Sequence, residues 1–93
     1  MSIQVKVLLH ANLREIVGKR EIIEEVHSPA ILKHLLDKLA QMYGKDFKQI
    51  VDQREGKTSL EFLVSINGQV TRDVYTKLNN NDVVMLSIPV GGG

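Results

Sequence analysis

Residues 28–44 read SPAILKHLLDKLAQMYG and carry the most regular pattern in the chain. Apolar residues recur there every three or four positions, the spacing that places them on one face of an α-helix. The predicted apolar face consists of Ile31, Leu32, Leu35, Leu36, Leu39 and Met42, with Tyr43 at its margin. Ser28 and Pro29 are typical of a helix start, and Gly44 is typical of a helix end. The pattern predicts one amphipathic helix that packs against a core.

Two apolar segments before this helix predict a pair of antiparallel strands. Residues 3–9 alternate between apolar and polar positions, which is the period of a strand with one buried face. Residues 21–26 predict a second strand. Between the two, residues 11–17 predict a short helix that ends at Gly18. The short connection favours antiparallel pairing of the strands on either side of it.

The segment that follows the long helix is more polar. A turn over residues 46–51 is predicted to pack Phe47 and Ile50 against the core. Residues 52–59 are polar and contain a glycine, which predicts a mobile loop.

The last third of the chain predicts three more strands. Residues 60–66 and 69–72 flank Asn67-Gly68, a strong hairpin signal because both residues tolerate positive φ. A turn over residues 79–82 then leads into a strand over residues 83–88. The order of strand, strand, helix and further strands predicts an α+β fold, with a mixed sheet packed against one main helix.

Composition limits the classes of function. The chain has 93 residues, 43% of them apolar, which suffices for one domain with one core. It has no cysteine, so it forms no disulfide and no thiolate site. The net charge is +1 without a basic block, which argues against nucleic-acid binding. No apolar run has membrane-spanning length and no signal-peptide pattern is present, so we expect a cytoplasmic protein without a membrane anchor.

The sequence ends in Pro89-Val90-Gly91-Gly92-Gly93. Proline has no N–H to donate to a sheet, so the last strand is predicted to end there. The glycines form a thin thread that carries only the carboxylate of Gly93 and can enter channels that exclude side chains. We therefore divide the chain into a domain over residues 1–88 and a flexible tail over residues 89–93. Taken alone, such a tail also fits an ordinary frayed terminus.

Independent enzymatic chemistry finds little support in the sequence. His27 and His34 lack a third ligand and a metal-binding spacing, so we expect no metal site. Glu24 and Glu25 are adjacent on a strand and are predicted to point to opposite faces, which excludes a catalytic pair. No nucleophile elbow, P-loop or dinucleotide motif is present.

The ordered set of motifs resembles the β-grasp sulfur carriers, which include the molybdopterin synthase small subunit MoaD and its thiamine-pathway relative ThiS. Residues 11–18, ANLREIVG, resemble the short A-x-L-R-E-x-x-G helix of that family, and residues 64–68, VSING, resemble its strand and hairpin. The similarity continues through Leu78, Asp82, Val84, Pro89, Val90 and the terminal glycines. It covers nearly the whole chain and implies a ubiquitin-like β-grasp fold.

The resemblance also implies a function. A ubiquitin-activating-like adenylyltransferase would use ATP to adenylate the Gly93 carboxylate, and a sulfur donor would displace AMP to leave a thiocarboxylate. Pro89, Val90, Gly91 and Gly92 would enter the partner's site. The chain itself would bind no cofactor and catalyse nothing alone, although it could be the sulfur-donating subunit of molybdopterin synthase. The large subunit of that synthase, or another sulfur acceptor enzyme, would be the second partner.

Partner contact is expected on the sheet face next to the tail. Strand alternation places Val84 and Leu86 inward, and therefore their neighbours outward. The predicted partner surface consists of Leu8, His10, Met85 and Ser87. The competing structural interpretation is that the loop over residues 52–59 buries Leu8 and Met85.

Three functional interpretations remain open. The first is a sulfur carrier for molybdopterin, or for thiamine, cysteine or tRNA thiolation. The second is a ubiquitin-like modifier that is joined through Gly93 to lysines of target proteins. The third is a plain interaction module with an inert tail.

Overall fold

The computed structural model describes residues 1–10, 12–45, 47, 53–54, 57–58 and 62–87. Its strands are β1 (Ser2–Leu9), β2 (Glu21–His27), β3 (Gln53–Arg54), β4 (Lys57–Thr58), β5 (Leu63–Ile66), β6 (Gln69–Thr71) and β7 (Val83–Ser87). Its helices are α1 (Asn12–Val17) and α2 (Leu32–Tyr43). Neither helix in this described part is long and apolar enough to cross a membrane.

Five of the described strands form one mixed sheet in the order β2-β1-β7-β5-β6. β1 pairs antiparallel with β2 and parallel with β7, and β5 pairs antiparallel with both β6 and β7. The predicted mixed sheet with an antiparallel first pair is therefore confirmed. Because β1 and β7 are parallel, their C-terminal ends meet at the same end of the sheet. We call this end, where β1 finishes at Leu9 and β7 at Ser87, the tail end of the sheet.

The core lies between the inner face of the sheet and α2. Strand alternation buries Val5, Val7 and Leu9 on β1, as predicted, while α2 buries four leucines. The leucines are Leu32, Leu35, Leu36 and Leu39. Burial of apolar surface of this kind is the main stabilising term of a small domain.

The start of α2 differs from the sequence prediction. The helix begins at Leu32, and its N-cap residue, Ile31, makes no side-chain capping hydrogen bond. Instead, the Leu32 N–H donates to the Thr76 carbonyl at 2.9 Å and the Lys33 N–H to the Val74 carbonyl at 2.7 Å. The predicted cap by Ser28 is wrong because backbone carbonyls from a distant segment satisfy the free N–H groups of the first turn.

The predicted apolar face of α2 also needs one correction. Met42 is 50% exposed, whereas Tyr43 is half-buried and its ring centroid lies 5.9 Å from that of the buried Phe47. An α-helix turns by about 100° per residue. On that spacing Tyr43 falls near the middle of the stripe formed by the buried leucines, and Met42 falls at its edge.

The connections between elements follow the predicted turn chemistry in part. Asn67 and Gly68 have φ values of 53° and 86°, which confirms the hairpin with positive φ at both positions. β5 begins only at Leu63, later than predicted. The mobile loop predicted over residues 52–59 contains the short paired strands β3 and β4, which the sequence analysis did not predict. Ile50 lies outside the described residues.

Candidate functional site

The tail end of the sheet is where the chain leads into the predicted reactive tail. β1 and β7 run side by side to this point, and the His10 N–H extends their pairing by donating to the Leu86 carbonyl at 3.2 Å. Ser87 is the last described residue. The predicted adenylation site, Gly93, and the predicted channel-entering residues, Pro89, Val90, Gly91 and Gly92, lie outside the described residues.

The outer face of the sheet, opposite α2, carries a row of register neighbours. Leu8 pairs with Met85, Met85 with Ser65, and Ser65 with Val70. We call these four residues the outer row. The structure thus brings together Leu8 and Met85 as predicted. Both are half-buried. The competing interpretation, in which residues 52–59 bury them, falls on a loop that lies largely outside the described residues.

The other two predicted surface residues lie at the tail end. Ser87 is half-buried and pairs with Leu63 of β5, whereas the His10 side chain is exposed. All four predicted residues therefore lie on, or directly beside, the outer face. Whether a partner contacts them stays a prediction.

Three exposed apolar residues of the same face were missed by the sequence analysis. Ile23 is 57% exposed, Leu63 is 38% exposed and Val70 is 61% exposed. Large apolar side chains grouped on an open sheet face are a common mark of a binding surface. The signal was available for β5, because alternation from the inward Val64 places Leu63 outward.

The inner face carries a salt bridge that joins the sheet to α2. Glu24 points inward and is 8% exposed, while Glu25 points outward, as predicted for adjacent strand residues. Lys38 Nζ lies 3.2 Å from Glu24 Oε2 and donates to the Glu25 carbonyl at 2.7 Å. Burial, and secondarily the Glu24 charge, raise the pKa of the Tyr43 phenol. This arrangement joins β2 to α2 and so contributes to the stability of the fold.

The residues before β7 hold that strand in place. Asp82 is 8% exposed, and its Oδ2 accepts a hydrogen bond from the Asn79 N–H at 2.8 Å. The Val83 N–H donates to Asn67 Oδ1 at 2.9 Å. Asn81, with φ of 70°, completes the predicted turn. The origin of β7, and hence the direction in which it leads towards the tail, is fixed by side-chain hydrogen bonds.

Two of the three histidines take part in local contacts. His27 Nε2 lies 3.3 Å from Glu25 Oε1, and His34 Nδ1 lies 2.7 Å from the Pro29 carbonyl oxygen. Within the described ranges, no group of three or more histidine and carboxylate side chains is placed so that it could hold a metal ion.

Comparison with known proteins identifies the family. The model of the ThiS family matches residues 7–93. The chain belongs to the ThiS family. The chain is also similar to the molybdopterin synthase sulfur carrier subunit of Dictyostelium discoideum, which is 30% identical over 94 residues, with 100% of both chains covered.

Solved structures confirm the predicted β-grasp fold. The solution structure of small archaeal modifier protein 1 from Methanosarcina acetivorans matches with a TM-score of 0.82 and 25% identity, over 100% of this chain and 99% of that chain. A chain of the BexX/CysO complex of Amycolatopsis orientalis matches with a TM-score of 0.74, over 96% of this chain and 99% of that one. The latter is 17% identical, so it shows the fold alone. The proteins that this chain resembles thus include a sulfur carrier subunit and a small archaeal modifier protein.

Proposed function

We propose that this ThiS-family protein is a cytoplasmic sulfur carrier and, most specifically, the small subunit of a molybdopterin synthase. The observation that carries the proposal is the end-to-end match to the Dictyostelium carrier subunit. The family match also runs through residue 93 and so includes the terminal glycines. The sulfur would travel as a thiocarboxylate on Gly93.

The chemistry would take place in the active sites of partner enzymes. An adenylyltransferase would join the Gly93 carboxylate to the α-phosphate of ATP and release pyrophosphate. A sulfur donor would then displace AMP. The glycines allow close approach of phosphate and nucleophile because they have no Cβ. Residues 91–93 span only about 10 Å when extended, so Pro89 and Val90 would also enter the mouth of the channel.

The domain would bind and orient the partner without catalysing a step. Its outer row and the exposed Leu63 present an apolar surface at the end of the sheet from which the tail departs. The adenylyltransferase and the large subunit of the synthase would use this surface in turn, because each must receive the same tail.

The test is the intact mass of the protein from its native host, prepared without reductant exchange or a C-terminal tag. A fraction whose mass reflects the replacement of one oxygen by sulfur, located at Gly93, would support the carrier function. The matched control is Gly93→Ala, which leaves the described domain unchanged and should accumulate no thiocarboxylate. If the wild-type chain stays unmodified after incubation with ATP, sulfide and the host's activating enzyme, the carrier function is wrong.

A second experiment, with the acceptor enzyme present, is needed to identify the pathway that receives the sulfur. The thiocarboxylate form should convert a molybdopterin precursor when mixed with the large subunit of the synthase. If only thiamine, cysteine or tRNA thiolation systems consume the sulfur, the carrier function stands and the molybdopterin assignment does not.

A ubiquitin-like modifier is the second candidate, favoured by the likeness to small archaeal modifier protein 1. Such a modifier would end as an amide between Gly93 and a target lysine. No lysine or arginine follows Lys77 in the sequence, so trypsin would leave residues 78–93 attached to the target. Detection of that branched peptide in cell digests would support the modifier function.

A further inference from the structure

A groove lies at the tail end of the sheet, beside the outer row. Its volume is about 300 Å³, and it is lined by Leu8, Leu9, His10, Arg14, Arg20 and Glu21. Leu9 is buried and Leu8 is half-buried, so the floor is partly apolar. The two arginines are exposed and line it together. The groove therefore combines an apolar base with two guanidinium groups.

Backbone hydrogen bonds fix the positions from which both arginines extend. The Arg14 carbonyl accepts from the Gly18 N–H at 2.8 Å, which closes α1. The Arg20 carbonyl accepts from the Leu9 N–H at 2.8 Å, which ties the start of β2 to the end of β1. Leu13, fully buried, anchors α1 to the core. Because these hydrogen bonds hold the backbone at both positions, binding of a ligand by the guanidinium groups does not have to order the backbone.

The charges around the groove favour an anion. In the described part of the chain, neither Arg14 nor Arg20 forms a salt bridge with a carboxylate. Glu21 supplies one negative charge to the lining, against two positive charges from the arginines. Guanidinium groups bind carboxylates through paired, charge-assisted hydrogen bonds.

We propose that this groove receives an acidic segment of the activating enzyme, a carboxylate side chain with an adjacent apolar residue. The proposal rests on the proposed function, and it adds the chemistry by which the partner recognises the domain. The carboxylate would pair with Arg14 and Arg20, and the apolar neighbour would contact Leu8. The groove lies next to the outer row, so one partner surface can cover both.

The length of the tail argues against a phosphate of ATP as the occupant. Residues 88–93 reach about 20 Å when extended. If the tail enters the enzyme extended, Gly93 reacts with ATP at its far end. The phosphates then lie near Gly93 and far from a groove at the base of the tail. A protein segment on the outer surface of the enzyme meets no such limit.

The test is ATP–pyrophosphate exchange by the host's activating enzyme at varied concentrations of this chain. The variants are Arg14→Glu, Arg20→Glu and their double variant, with Arg14→Gln and Arg20→Gln as milder changes. Lys77→Glu is the matched control, because it makes the same charge change on an exposed lysine. Lys77 forms an isolated β-bridge with Ile31, next to the start of α2, and does not line the groove.

Each charge reversal is expected to raise the KM for this chain by about tenfold without changing kcat, because the contact orients the partner and takes no part in the reaction. The wild-type KM should rise with salt, and the double variant should lose most of that dependence. Lys77→Glu should behave as wild type. If the glutamate variants do not fold, as judged by thermal unfolding, the glutamine variants replace them. Their KM for this chain should then rise by a smaller factor, again without a change in kcat.

Two results would overturn the proposal. One is that Arg14→Glu and Arg20→Glu each give the same KM for this chain as the wild type. The other is a raised KM for ATP with a lowered kcat, which would assign the groove to phosphate. Absence of exchange with the wild-type chain would instead contradict the proposed function. In that case, calorimetric binding of the wild type and the same variants to the activating enzyme would still test the groove.

Discussion

The side-chain amide of Asn67 donates a hydrogen bond to Asp82 Oδ1 at 2.8 Å and so ties the turn between β5 and β6 to the residue before β7. The two residues are fifteen positions apart in the sequence. The other carboxylate oxygen of Asp82 accepts a hydrogen bond from the Asn79 N–H, so both oxygens of this nearly buried carboxylate are hydrogen-bonded. Asp82 and Asn67 together therefore hold the start of the strand that leads to the tail.

Replacement of Asp82 tests this arrangement. Asp82→Ala leaves the Asn67 amide and the Asn79 N–H without an acceptor, which should lower the free energy of unfolding by about 1–3 kcal/mol. Urea unfolding followed by circular dichroism measures the loss. Asp73→Ala is the matched control, since the exposed Asp73 Oδ1 accepts only one described side-chain hydrogen bond, from the Tyr75 N–H. Equal losses in the two variants would contradict a special role for Asp82.

Local patterns were sufficient to predict both helices and the five strands of the main sheet, but not the short strands β3 and β4. The two-residue period of β1 and the helical period of α2 both come from burial of one face, and both were recognised in the sequence. The start of α2 was missed because its N–H groups bond to the carbonyls of Val74 and Thr76, more than forty residues away. A contact of this kind leaves no signal in the sequence next to the helix.

The sequence predicted residues of the candidate site only where the alternation of inward and outward side chains along a single strand places them. Leu8 and Met85 follow from the inward faces of β1 and β7. The apolar surface contributed by Val70 depends on the register of β5 with β6, which the sequence does not show. The groove with Arg14 and Arg20 depends on the turn that returns the chain from α1 to β2, so it emerges only in three dimensions.

The ion pair between Lys38 and Glu24 should contribute to stability. The two side chains are 38% and 10% exposed, so Lys38→Met would leave an almost buried carboxylate without its counter-charge. We expect a loss of about 1–2 kcal/mol, less than for a fully buried pair because water reaches the ammonium group. In a Glu24→Gln background the same change should cost less, which a double-mutant cycle measures.

Lys33→Met is the control for that prediction. Lys33 pairs with Asp37 at 3.3 Å, but these side chains are 40% and 50% exposed. An exposed helix pair of this spacing contributes only about 0.3–0.5 kcal/mol. A loss as large as that of Lys38→Met would show that burial of Glu24 does not matter.

Tyr43 should make the protein less stable at alkaline pH. Burial, followed by the Glu24 charge, raises the pKa of Tyr43 above its ordinary value of 10.0. Above pH 10.0 the folded state therefore keeps a proton that the unfolded chain has lost, so stability is full below that pH and falls as the pH rises through the folded pKa.

The urea midpoint measured against pH tests this effect. Tyr43→Phe should show a smaller alkaline loss than the wild type, and Tyr75→Phe, which removes an exposed phenol, should keep the wild-type loss. The comparison cancels the titration of lysines, which all three proteins share. Identical alkaline profiles for the wild type and Tyr43→Phe would refute the assignment.

The outer row should determine partner affinity. A glutamate at Met85 would place a charge in the outer row, between Leu8 and Ser65, and its desolvation would oppose docking. We expect Met85→Glu to weaken binding of the activating enzyme by about 10- to 30-fold, as measured by calorimetry. Leu63→Glu, at a more exposed position of the same face, should act in the same direction with less effect on folding.

Met42→Glu provides the control, because Met42 is 50% exposed on α2, on the opposite side of the sheet. It introduces the same charge on an equally apolar side chain and should leave the Kd unchanged. If Met42→Glu weakens binding as much as Met85→Glu, the effect comes from net charge and the outer row is not the docking surface. If neither variant changes the Kd, the docking surface does not include the middle of the outer row at Met85.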